Sequence, residues 1–339
     1  MLMAFLILSF SFQACNDFVL KHRRSIFPPT GIPMTISETT ERFFGKQVHD
    51  YEQGTAPDQD ANLVYRLSME YDDEGSMPEL IEEFFSQIDK SRLDALIIGM
   101  WGEPYESGAG PILETLVAHA PELPALRALF IGDMTYEECE ISWIHQGAYN
   151  DLLAAFPQLQ MLKIRGSTEL ELAPLEHAAL NSLVIECGGL PTSVADSLAS
   201  SRLPALAHLE LWLGTEDYGF DGDVELYQRV FANLYSPKLR YLGLRDSQLA
   251  DELALWLAQD QRIASLETLD LSLGVIGDVG AQALLASPYV RQLRRLDLSH
   301  HYISEPVQQQ LQALPLTVVL DDPQEEDEDY EGRYVAVGE

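Results

Sequence analysis

The sequence predicts an α/β solenoid, a horseshoe with parallel strands on its concave face and helices on its convex face. Three observations predict it. A motif of the form Leu-x-x-Leu-x-Leu, with other aliphatics allowed, recurs nine times in 339 residues. Residues at helical spacing follow most copies, and the copies stand a short interval apart. The stretch LETLDLSLGVIGDVGAQALL (266–285) shows both rhythms: Leu266, Leu269 and Leu271 in strand phase, then Gly277-Asp278, then Ala281, Leu284 and Leu285 in helix phase.

The copies begin at Val64, Leu93, Leu126, Leu159, Leu180, Leu206, Leu239, Leu266 and Leu293, at intervals of 29, 33, 33, 21, 26, 33, 27 and 27 residues. A weaker tenth lies in LPLTVVLDD near Leu316. Motif positions 1, 4 and 6 point into the core, and positions 3, 5 and 7 point outward from a short strand. Helices are predicted in PELIEEFFSQI, PILETLVAHA, YNDLLAAF, DVELYQRVFANLY, DELALWLA and VGAQALLA. Pro78, Pro111 and Pro191 stand at helix starts, where a missing N–H costs little, and Asp278 is expected to cap its own helix. Strand and helix alternating in one direction give parallel strands with right-handed crossovers. Helix axes need about 8–10 Å and strands about 4.8 Å, so the stack curves with its strands inside.

The period is that of the leucine-rich repeat. LETLDLS with GDVGAQALL, and LRRLDLS with the turn after it, resemble the ribonuclease-inhibitor-like class of these repeats. The resemblance runs from Val64 to about Leu320 and is strongest between Leu239 and Leu314. The chain departs from that class at motif position 9, where Asn or Cys bonds the turn backbone. Here the position holds Ser167, Gly188, Gly214, Ser247, Gly274 and His301, which predicts an incomplete interior ladder and an irregular arc. The opening ERFFGKQVHDY and the ending RYVAVGE are similar to a family of bacterial cytosolic leucine-rich-repeat proteins. Members of that family tend to be encoded near radical-chemistry and ATP-grasp-like enzymes, a resemblance that assigns no catalytic residue.

Residues 1–33 stand apart as an extra N-terminal segment. MLMAFLILSFSFQAC has no Lys or Arg before it and is short for a membrane span. The preferred reading is a misassigned start upstream of Met34, which places the protein in the cytoplasm; the alternative is a signal or anchor, with Cys15 lipidated. Residues 34–62 form the N-terminal cap (its core 41–62), 63–320 the solenoid, and 321–339 an acidic loop and a C-terminal segment that alternates from Tyr334 to Val337. Open solenoid ends expose core, which is why caps are expected.

The net charge of −33 disfavours nucleic acid and anionic membranes and favours basic partners. Cys15, Cys139 and Cys187 lie far apart, which excludes a disulfide scaffold and a zinc site of the usual spacing; Cys187 reads as a small buried hydrophobe in a reducing compartment. Walker, GxGxxG, HExxH, GxSxG and CxxC patterns are absent, and no cofactor is called for. The acidic stretch EDYGFDGDVE (216–225) could hold calcium, although Asp223 reads more simply as a helix cap. YEECE (136–140) and the trio Asp297, His300 and His301 offer still less geometry.

The concave face is left as the candidate surface. Its expected lining is Ile97 and Phe130, with Trp101 just beyond, then Lys163 and Arg165, then Glu186, His208, Glu210 and Trp212, and finally Tyr241, Arg245, Asp270, Arg295 and Asp297. Aromatic and arginine anchors among mixed charges suit a protein partner. The longer repeats add loops that should bring Trp101, Tyr105, Tyr136, Trp143, Tyr218 and Phe220 to one rim. The expectation is a non-enzymatic scaffold that binds another protein. Its alternatives are a metal-binding or catalytic accessory using the acidic rim and an envelope-anchored ligand binder.

Overall fold

The computed structural model describes residues 36–58, 60–326 and 332–338. Residues 1–33, with Cys15 and the question of the start at Met34, lie outside the described residues, as does the acidic stretch 327–331.

One sheet of twelve strands runs in chain order. Its strands are β1 (Arg42–Phe43), β2 (Lys46–Asp50), β3 (Leu63–Met69), β4 (Ala95–Trp101), β5 (Ala128–Ile131) and β6 (Met161–Arg165), followed by β7 (Ser182–Glu186), β8 (His208–Gly214), β9 (Tyr241–Ser247), β10 (Thr268–Asp270), β11 (Arg295–Asp297) and β12 (Thr317–Val319). Neighbours from β2 to β12 are parallel, while β1 turns back antiparallel to β2 and closes the first edge. The helices between strands are α1 (Met77–Gln87), α2 (Gly110–His119), α3 (Asn150–Ala155), α4 (Thr192–Ala199), α5 (Val224–Leu234), α6 (Ala250–Leu257), α7 (Asp278–Ala286) and α8 (Glu305–Gln312). This is the α/β leucine-rich-repeat solenoid, and the weak tenth copy is a real strand, β12. Among the described residues no helix is long and apolar enough to cross a membrane.

The stack is held by leucines in register. Leu129, Leu162, Leu183, Leu209, Leu242, Leu269 and Leu296 occupy motif position 4 and pair one with the next across the strands. Each is at most 1% exposed, and burying each such side chain contributes roughly 1.5–3 kcal/mol. The first copy needs a correction. Leu67 pairs with Ile98, which is position 6, so this motif begins at Asn62 rather than Val64. Val64 therefore faces away from the helices.

Capping also differs from expectation. The Asp278 carboxylate accepts from Ser304 N and Oγ at 2.8 and 2.7 Å, at the start of α8, and so serves the following repeat. Its own helix, α7, is capped by Asp251 of the preceding repeat, whose Oδ1 accepts from Gly277 N and Gly280 N at 2.9 and 2.8 Å. Capping here ties repeats to one another. Position 9 also works differently from an Asn ladder. A Cβ on Gly214 would lie 1.6 Å from Gly188 O, so glycine lets neighbouring turns meet backbone to backbone, and Thr215 N donates to Gly188 O at 2.9 Å.

Candidate interaction surface

The first third of the inner face is already filled. Ile97 and Phe130, both 0% exposed, pack with Val64, Ala95 and Ala128 beneath Phe43. The hairpin of β1 and β2 brings the Phe43 ring to 6.1 Å from that of Phe130. Trp101 is not on this face. The β3–β4 register shifts at Leu67/Met69, which pairs Met69 with Trp101, and the indole joins the main core with its Nε1 donating to Ser107 O at 2.7 Å.

A charged band comes next. Lys163 Nζ and Arg165 Nε both reach Glu186, at 2.7 and 2.9 Å, and Lys163 stands 4.5 Å from the centre of the Phe130 ring. Arg165 Nη1 also donates to Met134 O and lies 3.6 Å from Asp133, a carboxylate with no exposure. Burial alone would push the Glu186 carboxyl up, but Lys163 and Arg165 hold it below the usual range.

Arg245 is the centre of the second half. Its Nη1 donates to Glu210 at 2.7 Å, its Nε donates to Ser272 Oγ at 2.9 Å and sits 3.5 Å from Asp270, and its guanidinium lies 5.1 Å from the centre of the Trp212 ring. Trp212 Nε1 donates to Glu210 at 2.9 Å, and His208 Nε2 is 3.3 Å from that carboxylate. His208 stacks on Tyr241 at 4.0 Å, and the Tyr241 hydroxyl donates to Asp270 at 2.6 Å. Desolvation raises the Glu210 carboxyl, but Arg245 with the donors around it holds the group well below the ordinary range. Arg295 and Asp297 form their own pair at 2.7 Å.

These residues share a face as expected, but they are not free. Trp212 is 3% exposed and Arg245 2%, while Lys163, Tyr241 and Arg295 stay partly open. Nor do Trp212 and Tyr241 pair: Trp212 faces Arg245 and Tyr241 faces His208. Large outward aromatics suggest a covering partner, but here part of the cover is the chain itself.

That cover rests on motif position 8, immediately past each strand's outward residues. Asp246, Leu273 and His300 hold this position in three successive repeats, with φ of 52°, 67° and 59°. Left-handed backbone at a residue other than glycine costs of order 1–3 kcal/mol and persists where its surroundings demand it. Each of the three meets the segment 333–338. His300 Nε2 lies 3.1 Å from Tyr334 O, Ala336 N donates to Leu273 O at 2.8 Å, and Val337 N donates to Asp246 Oδ1 at 2.9 Å. The Val337 side chain, 5% exposed, packs with Trp212, Leu273 and Ile141. At the other end the position-8 residue Asp133 accepts from Thr40 N at 3.1 Å and from Thr40 Oγ1 at 3.0 Å. Both ends of the described chain are thus strapped to one ledge. Polar residues at Asp133, Asp246 and His300, in a slot that from Leu93 onward otherwise holds Met100, Gly166, Cys187, Leu213 and Leu273, were the available signal.

The straps come together over a cavity of about 480 Å³. Ile36 and Val337 share one apolar cluster there. Its other walls come from the loop Met134–Ile141, with Arg165 at its base. Tyr136 on this loop is 49% exposed, and Trp143, two residues past its end, is 58% exposed. The other expected rim aromatics are less open: Phe220 is 2% exposed, and Tyr105 and Tyr218 are half-buried. In the acidic stretch 216–225 two carboxylates serve as caps, Asp223 accepting from Leu226 N and Asp221 from Thr192 N, at 2.8 and 2.7 Å. His301 is bonded within its turn, Nδ1 accepting from Ile303 N at 3.1 Å.

Among known proteins, the leucine-rich-repeat family model matches residues 263–285. No curated protein matches the chain. A crystal structure of a Bacteroides fragilis protein, determined as a structural-genomics target, is similar over 77% of this chain and 75% of that one, with 32% sequence identity and a TM-score of 0.72.

Proposed function

Because the chain is a leucine-rich-repeat protein that belongs to one family with the Bacteroides fragilis protein, we propose that it is a non-enzymatic scaffold that binds another protein. Repeats of this kind generally mediate protein–protein interaction. In this reading the partner rests on the rim at the C-terminal ends of the strands and reaches the open part of the concave face at Lys163, Tyr241 and Arg295. Ile97, Phe130, Arg165, His208, Glu210, Trp212, Arg245, Asp270 and Asp297 form the rigid bed beneath, and Trp101 braces the loop beside it.

One observation carries the reading: Tyr136 stands half-exposed on the loop that walls the cavity between the straps, and Trp143, also exposed, follows two residues beyond that loop. Folding gains little from aromatics left in water, whereas interfaces use them as anchors. Among the described residues the free thiols, Cys139 and Cys187, are buried, and burial pushes them to about 11 and about 12. Inert thiols of this kind are compatible with the cytoplasmic setting we propose. Of the acidic rim residues, Asp221 and Asp223 are engaged as caps, which weighs against the metal-site alternative.

The test is quantitative affinity capture from the native cell with mass spectrometry. Changing Tyr136 and Trp143 together to Ala should leave melting unchanged and weaken capture by about 2 kcal/mol or more. The control, Glu114→Ala with Glu252→Ala on exposed positions of α2 and α6, should change neither. Glu83 is unsuitable as a control because it accepts from Tyr51 Oη and Gly54 N and ties down the N-terminal cap. Loss of capture with the helix pair alone would place the binding surface on the helices.

A further inference from the structure

We propose that the position-8 ledge is a binding site for an extended peptide segment of a partner, closed in this state by the chain's own residues 333–338. The proposal rests on the scaffold reading above and names the chemistry of what the scaffold takes.

The ledge is built as a receptor for extended backbone. Three successive repeats offer a strand-end polar group: an accepting side-chain carboxyl at Asp246, an accepting main-chain carbonyl at Leu273, and at His300 an imidazole N–H facing the Tyr334 carbonyl. All three residues hold left-handed backbone, and it recurs there at one point of the repeat. Repetition of a costly geometry along a line indicates a surface shaped for something laid across it. Extended peptides bind in this way, with main-chain bonds giving affinity and pockets giving specificity.

The strap states what fits. Its first residue is cationic: Arg333 lies 3.4 Å from Asp251, donates to Val275 O at 3.2 Å, and stacks over Tyr302. Its fifth, Val337, fills the apolar pocket of Trp212, Leu273 and Ile141. Its sixth is glycine, pressed against the turn at Gly188, where a Cβ on Gly188 would lie 2.8 Å from Gly338 O. The partner segment is therefore basic at its leading residue, then three residues of small or open character, then a branched apolar residue followed by glycine. A cationic lead suits a protein of net charge −33.

The strap also leaves the seat incompletely satisfied. Asp246 Oδ2 and Arg245 Nη2 are buried and, among the described residues, have no hydrogen-bond partner. Tyr334 is 55% exposed, and Val337 is the deep anchor of the segment. A partner strand that also reached those two atoms would displace the strap, since buried polar groups strongly favour being paired. Displacement would uncover Trp212 and join the ledge to the cavity beside it.

The experiment uses the full chain and a fluorescent synthetic peptide of residues 332–338, GRYVAVG. Val337→Glu places a charge in the pocket, and Ala336→Pro removes the N–H that Leu273 receives. In both variants hydrogen exchange at residues 334–338 should rise while the leucine ladder stays protected. The labelled peptide should then bind each variant at least tenfold more tightly than the unaltered chain, and the same peptide with Val337→Glu should not bind. Released straps with no peptide binding would overturn the proposal. So would straps that remain protected, or global unfolding of both variants, which would make the segment a structural staple. Concentration-dependent dimers that the peptide cannot compete away would overturn it in favour of a second copy as occupant. None of these readouts involves Tyr136, Trp143 or the captured partner, so failure here is distinct from failure of the scaffold reading.

Discussion

The Val337 amide donates to the Asp246 carboxyl at 2.9 Å, joining residues 91 apart in the chain. Asp246 is fully buried, and burial pushes its carboxyl well above the ordinary aspartate range, against the smaller opposing pull of the Val337 N–H and Arg245. The strap is therefore fastened to a group that resists ionisation.

A pH dependence follows with a definite sign. A carboxyl whose folded pKa is raised favours the folded state most below its unfolded value. That contribution is lost as pH rises from the usual 3.8 toward the raised folded value. Glu186 and Glu210, held low, act oppositely: their contribution is present above 4.5 and is lost as pH falls through their depressed values. Asp246→Asn removes the first effect and leaves the second. Melting temperatures of the two proteins between pH 5 and pH 8 should show the unaltered chain losing ground to the variant as pH rises. Parallel curves would mean Asp246 ionises freely in its seat.

Breaking the inner network at one partner should be expensive. Glu210→Ala leaves the Arg245 guanidinium, 2% exposed, without its shortest carboxylate and leaves Trp212 Nε1 unpaired. Removing one member of a buried pair costs about 3–5 kcal/mol, measurable by urea unfolding. A loss under about 1 kcal/mol would show that these groups are well hydrated and that the inner face is more open than its geometry.

Strand phase has its own test. Leu242→Ala and Leu269→Ala remove fully buried ladder residues and should each cost about 2–5 kcal/mol. Thr268→Ala, half-buried on the outward side, should cost under about 0.5 kcal/mol. Equal losses would mean the two faces are exchanged, as a one-residue slip would do.

The ladder leucines were legible because a period of two followed by a period of 3.6, repeated along the chain, leaves few alternatives. Val64 misled for a local reason: it is apolar while the true first position, Asn62, is polar, so the best pattern match sat two residues late. Trp101 misled because alternation assumes an unbroken strand, and the shift at Met69 turns its indole inward. The exposure of Trp212 could not be read at all. What covers it is Val337, held by contacts distant in sequence that leave no periodic trace in either segment. The alternation of Tyr334 to Val337 was legible, but not its use as a strap.

The most direct test of the binding surface is hydrogen-exchange mass spectrometry on the chain with and without its captured partner. The account predicts new protection in the loop 134–149, with the exposed aromatics Tyr136 and Trp143 at its centre and none on α2 or α6. New protection confined to those helices, with the 134–149 loop unchanged, would contradict it.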